Sequence, residues 1–118
     1  MLEKVNLAEK LAGFDEIFSP RIVGYYNDTK IQVAKSKGPF VWHSHPHTDD
    51  LFLVLKGKLT VELLDGAVEV GEGELLVVPR GVEHRPVAEE EAHVLLLELL
   101  GTPNTGDADA EAAPEVEI

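Results

Sequence analysis

The fold of this chain is decided by residues 38–57, which read GPFVWHSHPHTDDLFLVLKG. The stretch contains three of the five histidines, His43, His45 and His47, at every second position. In an extended strand, side chains two positions apart point to the same face, so such imidazoles can converge on one point. A carboxylate, Asp50, follows at the start of an apolar run. Imidazole and carboxylate together form a ligand set suited to zinc, iron, manganese, nickel or copper.

A second stretch, residues 73–84, reads GELLVVPRGVEH. It predicts an apolar strand, then a tight Pro/Gly turn, then another strand that begins at His84. Pro79 ends the first of these strands because proline cannot donate a hydrogen bond to a central ladder. The sequence therefore places a further histidine directly after a turn.

The first stretch resembles the first sequence motif of the cupin superfamily. That motif consists of a Gly, the pair His-x-His, three or four residues, a Glu, six residues and a Gly. This chain has the same order at Gly38, His43, His45, Asp50 and Gly57. It departs from the pattern in two places, because Asp50 replaces the Glu and Gly38 lies four residues before the first histidine instead of five.

The second stretch resembles the second cupin motif, which is a Gly, five residues, Pro-x-Gly, two residues, a His, three residues and an Asn. The matching positions are Gly73, Pro79-x-Gly81 and His84, and Ala88 stands in place of the Asn. The two motifs and their connector cover residues 38–88, close to half of the chain.

The resemblance implies an all-β fold, the cupin double-stranded β-helix or jelly-roll barrel. It also implies that His43, His45, Asp50 and His84 point inward at one divalent transition metal ion. Asp is shorter than Glu by one C–C bond of about 1.5 Å, and metal–oxygen bonds tolerate only a few tenths of an ångström. Three alternatives remain: the backbone shifts inward, Asp50 binds through water, or three histidines hold the metal and water fills the other positions.

The remaining chain predicts one domain over residues 1–102, with a short N-terminal arm that contains a helix from Leu7 to Leu11. Strands are predicted over 40–45, 84–88 and 93–100, and the acidic run Glu89–Glu91 is predicted as a solvated break. Residues 103–118 contain almost no apolar side chains and are predicted to be a flexible acidic tail.

The composition restricts the possible partners and the location. The formal net charge is −12, and the chain lacks cysteine, so it has neither disulfides nor a thiolate site. An acidic surface repels phosphate backbones and anionic lipids, so we expect neither nucleic acid nor a membrane as a partner. The N-terminus shows no basic region followed by an apolar run, and we therefore expect a soluble cytoplasmic protein.

Three functions are consistent with the sequence. The first is a metal-dependent enzyme that acts on a small molecule, with isomerase-like or dioxygenase-like chemistry. The resemblance is greatest to small cupins that are similar to mannose-6-phosphate isomerase, although the sequence has no basic cluster for a sugar phosphate. The alternative is a non-catalytic cupin that binds a small ligand. A regulatory domain ranks last, because the sequence shows no DNA-binding segment.

Two strands are apolar on both faces, and this predicts a homodimer. Residues 51–55 alternate leucines with Phe52 and Val54, and residues 93–100 carry leucine or valine on both sides. Only one face of each strand can point into a barrel, so the other needs cover from the N-terminal arm or from a second copy of the chain.

Overall fold

A computed structural model describes residues 2–118 and confirms the predicted all-β jelly-roll class. One short helix, α1 (Leu7–Leu11), precedes the sheet, and the Asn6 side chain caps it by accepting a hydrogen bond from the Glu9 backbone N–H at 3.0 Å. The strands of the described chain are β1 (Arg21–Tyr26), β2 (Thr29–Pro39), β3 (Asp50–Lys56), β4 (Lys58–Leu63), β5 (Gly66–Gly71), β6 (Leu75–Val78), β7 (His84–Leu99) and β8 (Val116–Glu117).

The long strand β7 is the centre of the barrel. Along one edge it pairs antiparallel with β2, from Thr29–Leu99 to Pro39–Val87. Along the other edge its first part pairs with β4 and its second part pairs with β3. A register shift in β2 between Ser36 and Gly38 lets the two halves of the sheet bend toward each other. The inward side chains of both halves form one core, made of Ala34, Phe52, Val54, Leu59, Val61, Val70, Val78, Ala88, Ala92, Val94 and Leu96.

The structure differs from the predicted strands in two places. Residues 40–45 are not a strand, because Pro39 and Pro46 lack the N–H groups that would extend a ladder. Only an isolated bridge forms there, with mutual backbone hydrogen bonds of 2.9 and 3.0 Å between His43 and His84. The acidic run Glu89–Glu91 does not interrupt β7: its side chains are exposed while the strand runs through it.

The structure places residues 103–118 against the barrel instead of leaving them free as a tail. Strand β8 pairs in parallel with β1, with Arg21 opposite Val116. Closer to the barrel opening, both carboxylate oxygens of Asp107 accept hydrogen bonds from Ser44, one from its backbone N–H at 2.6 Å and one from its hydroxyl at 2.8 Å. Composition alone did not predict this, because polar side chains fix the segment through individual partners rather than through apolar burial.

The N-terminal arm packs on the outside of the sheet, which is one of the two kinds of cover that the apolar strands required. Leu11 and Phe14 form a small second core with Val33, and Leu55 packs at its edge. Within residues 2–118 no helix has the length and apolar character needed to cross a membrane.

Candidate metal centre

The fold brings the four predicted site residues to one place inside the barrel. His43 and His45 lie on the segment that follows β2, Asp50 is the first residue of β3, and His84 is the first residue of β7. None of the four is more than 3% exposed. The predicted alternation also holds, because Trp42, between the inward positions, is 36% exposed.

The three histidine rings form a compact cluster. The centroid of His43 lies 4.4 Å from that of His84 and 4.8 Å from that of His45, and the His45 and His84 rings are 5.9 Å apart. One ring nitrogen from each of the three lies within 4.8 Å of the others, a spacing at which a single ion can bind all three.

Backbone carbonyls fix the tautomers of two of the rings. The Nδ1 atom of His43 lies 2.9 Å from the carbonyl oxygen of Val41, and the Nδ1 atom of His84 lies 2.9 Å from that of Val82. Because a carbonyl oxygen only accepts, each Nδ1–H donates and each Nε2 keeps its lone pair. This is the arrangement that metal-binding histidines usually show.

Two buried carboxylates meet the histidines, and the sequence predicted only one of them. The Oδ2 atom of Asp50 lies 3.3 Å from Nε2 of His45 and 3.9 Å from Nε2 of His84. Glu98, near the end of β7, places its Oε2 atom 3.4 Å from the same His45 nitrogen. Glu98 belongs to neither motif and lies in a leucine-rich strand. The sequence feature that indicates an inward-facing Glu98 is the alternation of side chains along the strand, because Glu98 follows the inward-facing Leu96 by two positions.

Burial changes the protonation of every group in the cluster. It raises the pKa of Asp50 to about 7 and, together with the neighbouring Asp50 charge, raises the pKa of Glu98 to about 8. It also lowers the pKa of His43 to about 4, and it lowers the pKa values of His45 and His84. At neutral pH the imidazoles are therefore neutral, with one ring nitrogen free of a proton, as metal ligation requires.

Several nitrogen and oxygen atoms in the cluster that could bind a metal ion have no hydrogen-bond partner. They are both ring nitrogens of His45, Nε2 of His84 and Oδ1 of Asp50. A buried polar atom left unsatisfied costs roughly 1–3 kcal/mol, so a cluster of them is explained best by a cation that the donors bind together. Imidazole nitrogens and carboxylate oxygens fit a divalent transition metal ion.

A cavity of ≈ 50 Å³ adjoins the cluster, bounded on one side by His43, Asp50 and Glu98. This exceeds the ~10–15 Å³ that one water molecule needs. The Phe18 and Phe40 rings stack at 4.8 Å at its edge. None of the lining residues in the described chain is a lysine or an arginine. The other lining residues are mostly apolar: Pro20, Ala34, Ser36, Phe52, Leu59, Pro86, Val94, Leu96 and Asn104.

The other two histidines lie apart from the cluster. His47 is exposed in the turn at the barrel opening, and it lines an outer pocket of ≈ 300 Å³ together with His45, Gly106 and Asp107. His93 lies on the outer face of β7, and its Nε2 atom is 2.8 Å from a Glu91 carboxylate oxygen.

The fold and the cluster define a small jelly-roll barrel whose interior can hold a metal ion. Residues 30–100 match the family model Cupin_2, which is described as a cupin domain. The chain belongs to this family, and the family assignment agrees with the cupin motifs in the sequence.

Solved structures of similar sequence have the same fold. A cupin-2 domain containing protein from Shewanella frigidimarina is 37% identical, with a TM-score of 0.80, over 80% of this chain and 93% of its own. Protein NMB1881 from Neisseria meningitidis is 33% identical, with a TM-score of 0.76, over 82% and 99%. The uncharacterized protein YdbB of Bacillus subtilis is 37% identical over 60 residues, and this match spans about half of each chain, 50% and 53%.

Proposed function

We propose that this cupin is a metal-dependent enzyme that acts on a small molecule. In this proposal His43, His45, His84 and Asp50 hold one divalent transition metal ion, and the substrate binds in the adjoining cavity. The observation that carries the proposal is the group of buried donor atoms that face one another without hydrogen-bond partners. A metal in such a site supplies Lewis-acid chemistry and orients an oxygen ligand of the substrate.

The cavity lining restricts the substrate class. Its residues are mostly apolar, and neither lysine nor arginine occurs among those that the structure describes. Phosphorylated substrates usually need such cations, so a sugar-phosphate isomerase is disfavoured. A small molecule with an apolar body and one or two oxygen donors matches the lining better. The hydroquinone 1,2-dioxygenase of Sphingomonas sp. TTNP3 has the same fold, with a TM-score of 0.71 at 20% identity, and makes dihydroxybenzenes reasonable first probes.

The second candidate is a non-catalytic module that binds a small ligand. The observation that favours it is the small size of the cavity, ≈ 50 Å³, which the stacked Phe18 and Phe40 rings flank. Oxygen uptake by the iron-loaded protein with dihydroxybenzenes separates the candidates, because a binding module gives a binding isotherm without turnover.

Elemental analysis of protein purified without added metal tests the metal site. We expect close to one transition metal ion per chain. The double variant His43→Ala with His84→Ala should lose it, because only one imidazole then remains in the cluster. Single alanine variants of His47 and His93 are the matched controls and should keep it, since both residues lie outside the cluster. Unchanged metal content in the double variant would refute this ligand assignment.

We also propose that the protein is a homodimer, assembled through the outer face of β6, β3 and β7. The pairing places Val77, Leu51 and Leu97 in one row across these strands and Leu75, Leu53 and Leu95 in the next. In the single chain Leu75 is 60% exposed and Val77 is 45% exposed, because α1 covers only the end of the face near Leu55. A second copy related by a twofold axis would bury both rows.

A further inference from the structure

We propose that Glu98 is an additional metal ligand, which makes up for the short side chain of Asp50 and raises the affinity of the site for Mn²⁺ relative to Zn²⁺. This inference rests on the proposed metal-binding function and goes beyond the four residues that the motifs supply.

The pairing of β3 with β7 places the two carboxylates side by side. Leu51 pairs with Leu97, so Asp50 and Glu98 occupy the next position of the same ladder, on the inward face. Their oxygens lie 3.3 and 3.4 Å from a single atom, Nε2 of His45. One ring nitrogen has at most one proton to donate, and this nitrogen makes no hydrogen bond to either carboxylate. A cation bound among the three groups satisfies all of them.

The neighbours of Glu98 fix one carboxylate oxygen by a hydrogen bond and orient the other toward the cluster. Its Oε1 atom accepts a hydrogen bond from the Gln32 side chain at 3.1 Å, and Oε2 faces His45. Lys30 pairs with Glu98 across the strands, but its ammonium group binds the Thr102 carbonyl oxygen at 2.6 Å and the Glu115 carboxylate at 2.9 Å. Glu98 therefore points its Oε2 atom into the cluster, toward His45 and the Asp50 carboxyl group, and Gln32 acts as its positioning residue.

The charge balance of the site favours two carboxylates. A divalent ion held by three neutral imidazoles and one carboxylate leaves a net charge of about +1 in an apolar interior, where an unpaired charge is costly. A second carboxylate neutralises that charge. It also adds an oxygen donor. A site with more oxygen donors suits Mn²⁺ and Fe²⁺ better than a site that is dominated by imidazole.

The test is calorimetric titration of the metal-free protein with Mn²⁺ and with Zn²⁺. Glu98→Gln keeps the size of the side chain and an oxygen for the Gln32 hydrogen bond, while it removes the charge. We expect its Mn²⁺ affinity to fall at least about tenfold and its Zn²⁺ affinity to fall less, so that the Mn²⁺/Zn²⁺ preference decreases. Glu90→Gln, an exposed position on the same strand, is the matched control and should change neither affinity.

A compensating variant separates ligation from a structural role. Asp50→Glu combined with Glu98→Gln restores one long carboxylate arm, and we expect it to recover Mn²⁺ affinity relative to Glu98→Gln alone. The electron paramagnetic resonance spectrum of bound Mn²⁺ should differ between the wild type and Glu98→Gln. If Glu98→Gln fails to fold, Glu98→Asp keeps the charge but withdraws the oxygen, and the same preferential loss of Mn²⁺ affinity is expected.

Two negative results have different meanings. If Glu98→Gln, or Glu98→Asp in its place, binds both metals as tightly as the wild type does, Glu98 is not a ligand and the inference is wrong. If the wild type itself binds neither Mn²⁺ nor Zn²⁺ while it is folded, the proposed metal-dependent function fails first, and the inference fails with it.

Discussion

Raising the pH should destabilise the metal-free protein, because the folded barrel holds protons that the unfolded chain does not. In the folded state the pKa of Asp50 is about 7 and that of Glu98 is about 8, against ordinary values of 3.8 and 4.5. The stability that these raised pKa values contribute is fully present at low pH and is lost as the pH rises through about 7 and 8.

The three clustered histidines act in the opposite direction at lower pH. Their pKa values are lowered from 6.5, that of His43 to about 4, so below 6.5 the unfolded chain binds protons that the folded barrel does not. Their contribution to stability is present above the unfolded pKa and is lost as the pH falls. The histidines and the carboxyls oppose each other below about pH 6.5, and the carboxyls dominate above it, so stability should decrease above about pH 6.5.

The size of the decrease follows from the distance between pH 6.5 and the two raised pKa values. Each pH unit is worth about 1.4 kcal/mol for one titrating group. The titration of Glu98 therefore lowers the free energy of unfolding by about 2 kcal/mol, and the titration of Asp50 lowers it by about 1 kcal/mol. The three histidines offset part of this, because each is half protonated in the unfolded chain at about pH 6.5 and losing that proton stabilises the folded state by up to about 0.4 kcal/mol, or about 1 kcal/mol for all three. We therefore expect the free energy of unfolding to fall by about 2 kcal/mol between about pH 6.5 and about pH 9. Glu98→Gln should remove most of this loss, since the amide does not titrate.

Urea unfolding in the presence of a chelator, at the two pH values and for both proteins, measures this difference. Addition of a divalent metal should reverse the loss, because a bound cation replaces the two protons and stabilises the folded state. Metal affinity should for the same reason increase up to about pH 8 rather than level off near the ordinary histidine pKa. A metal-free protein that is equally stable or more stable at about pH 9 would refute the argument.

Three further outcomes follow from individual contacts. Val54→Ala removes two methyl groups from a side chain with no exposed surface, and should lower the free energy of unfolding by about 2 kcal/mol in urea titration. Gly106→Ala should release the C-terminal segment, because a Cβ atom there collides with the backbone oxygen of Ser44 and φ is +55°. Limited proteolysis after residue 102 should then become faster, and an unchanged rate contradicts this. Val77→Asp should convert a dimer to a mass near 12.9 kDa in light scattering, while the exposed control Val68→Asp should not. A wild type that already scatters as a single chain rules out the dimer.

The motifs predicted the fold and four residues of the cluster because both depend on local spacing. Histidines two positions apart, and a turn that ends at Pro79-x-Gly81, place side chains at defined positions of a strand whatever the rest of the chain does. Glu98 escaped prediction because its role depends on register between distant strands. Only the pairing of Leu51 with Leu97 brings Glu98 beside Asp50, and a single sequence does not encode that pairing visibly.

The packing of the C-terminal segment against the barrel could not be predicted for a related reason. Its low apolar content predicted that it would not order, and apolar burial is indeed not what holds it. Its order depends on individual polar contacts, such as Asp107 with Ser44 and Glu115 with Lys30, and on a short strand that pairs with β1. Such contacts depend on the three-dimensional position of their partners, which composition does not report.

The two flanking segments both contribute to the cavity beside the cluster that the family domain builds. Residues 30–100 contain every histidine and carboxylate of the cluster. Two residues from outside that range also line the cavity beside the cluster: Asn104 donates a side-chain hydrogen bond to the Phe18 backbone oxygen at 3.1 Å, and both residues contribute to the lining. Substitutions at Phe18 or Asn104 should therefore alter the cavity without changing the histidines and carboxylates of the cluster.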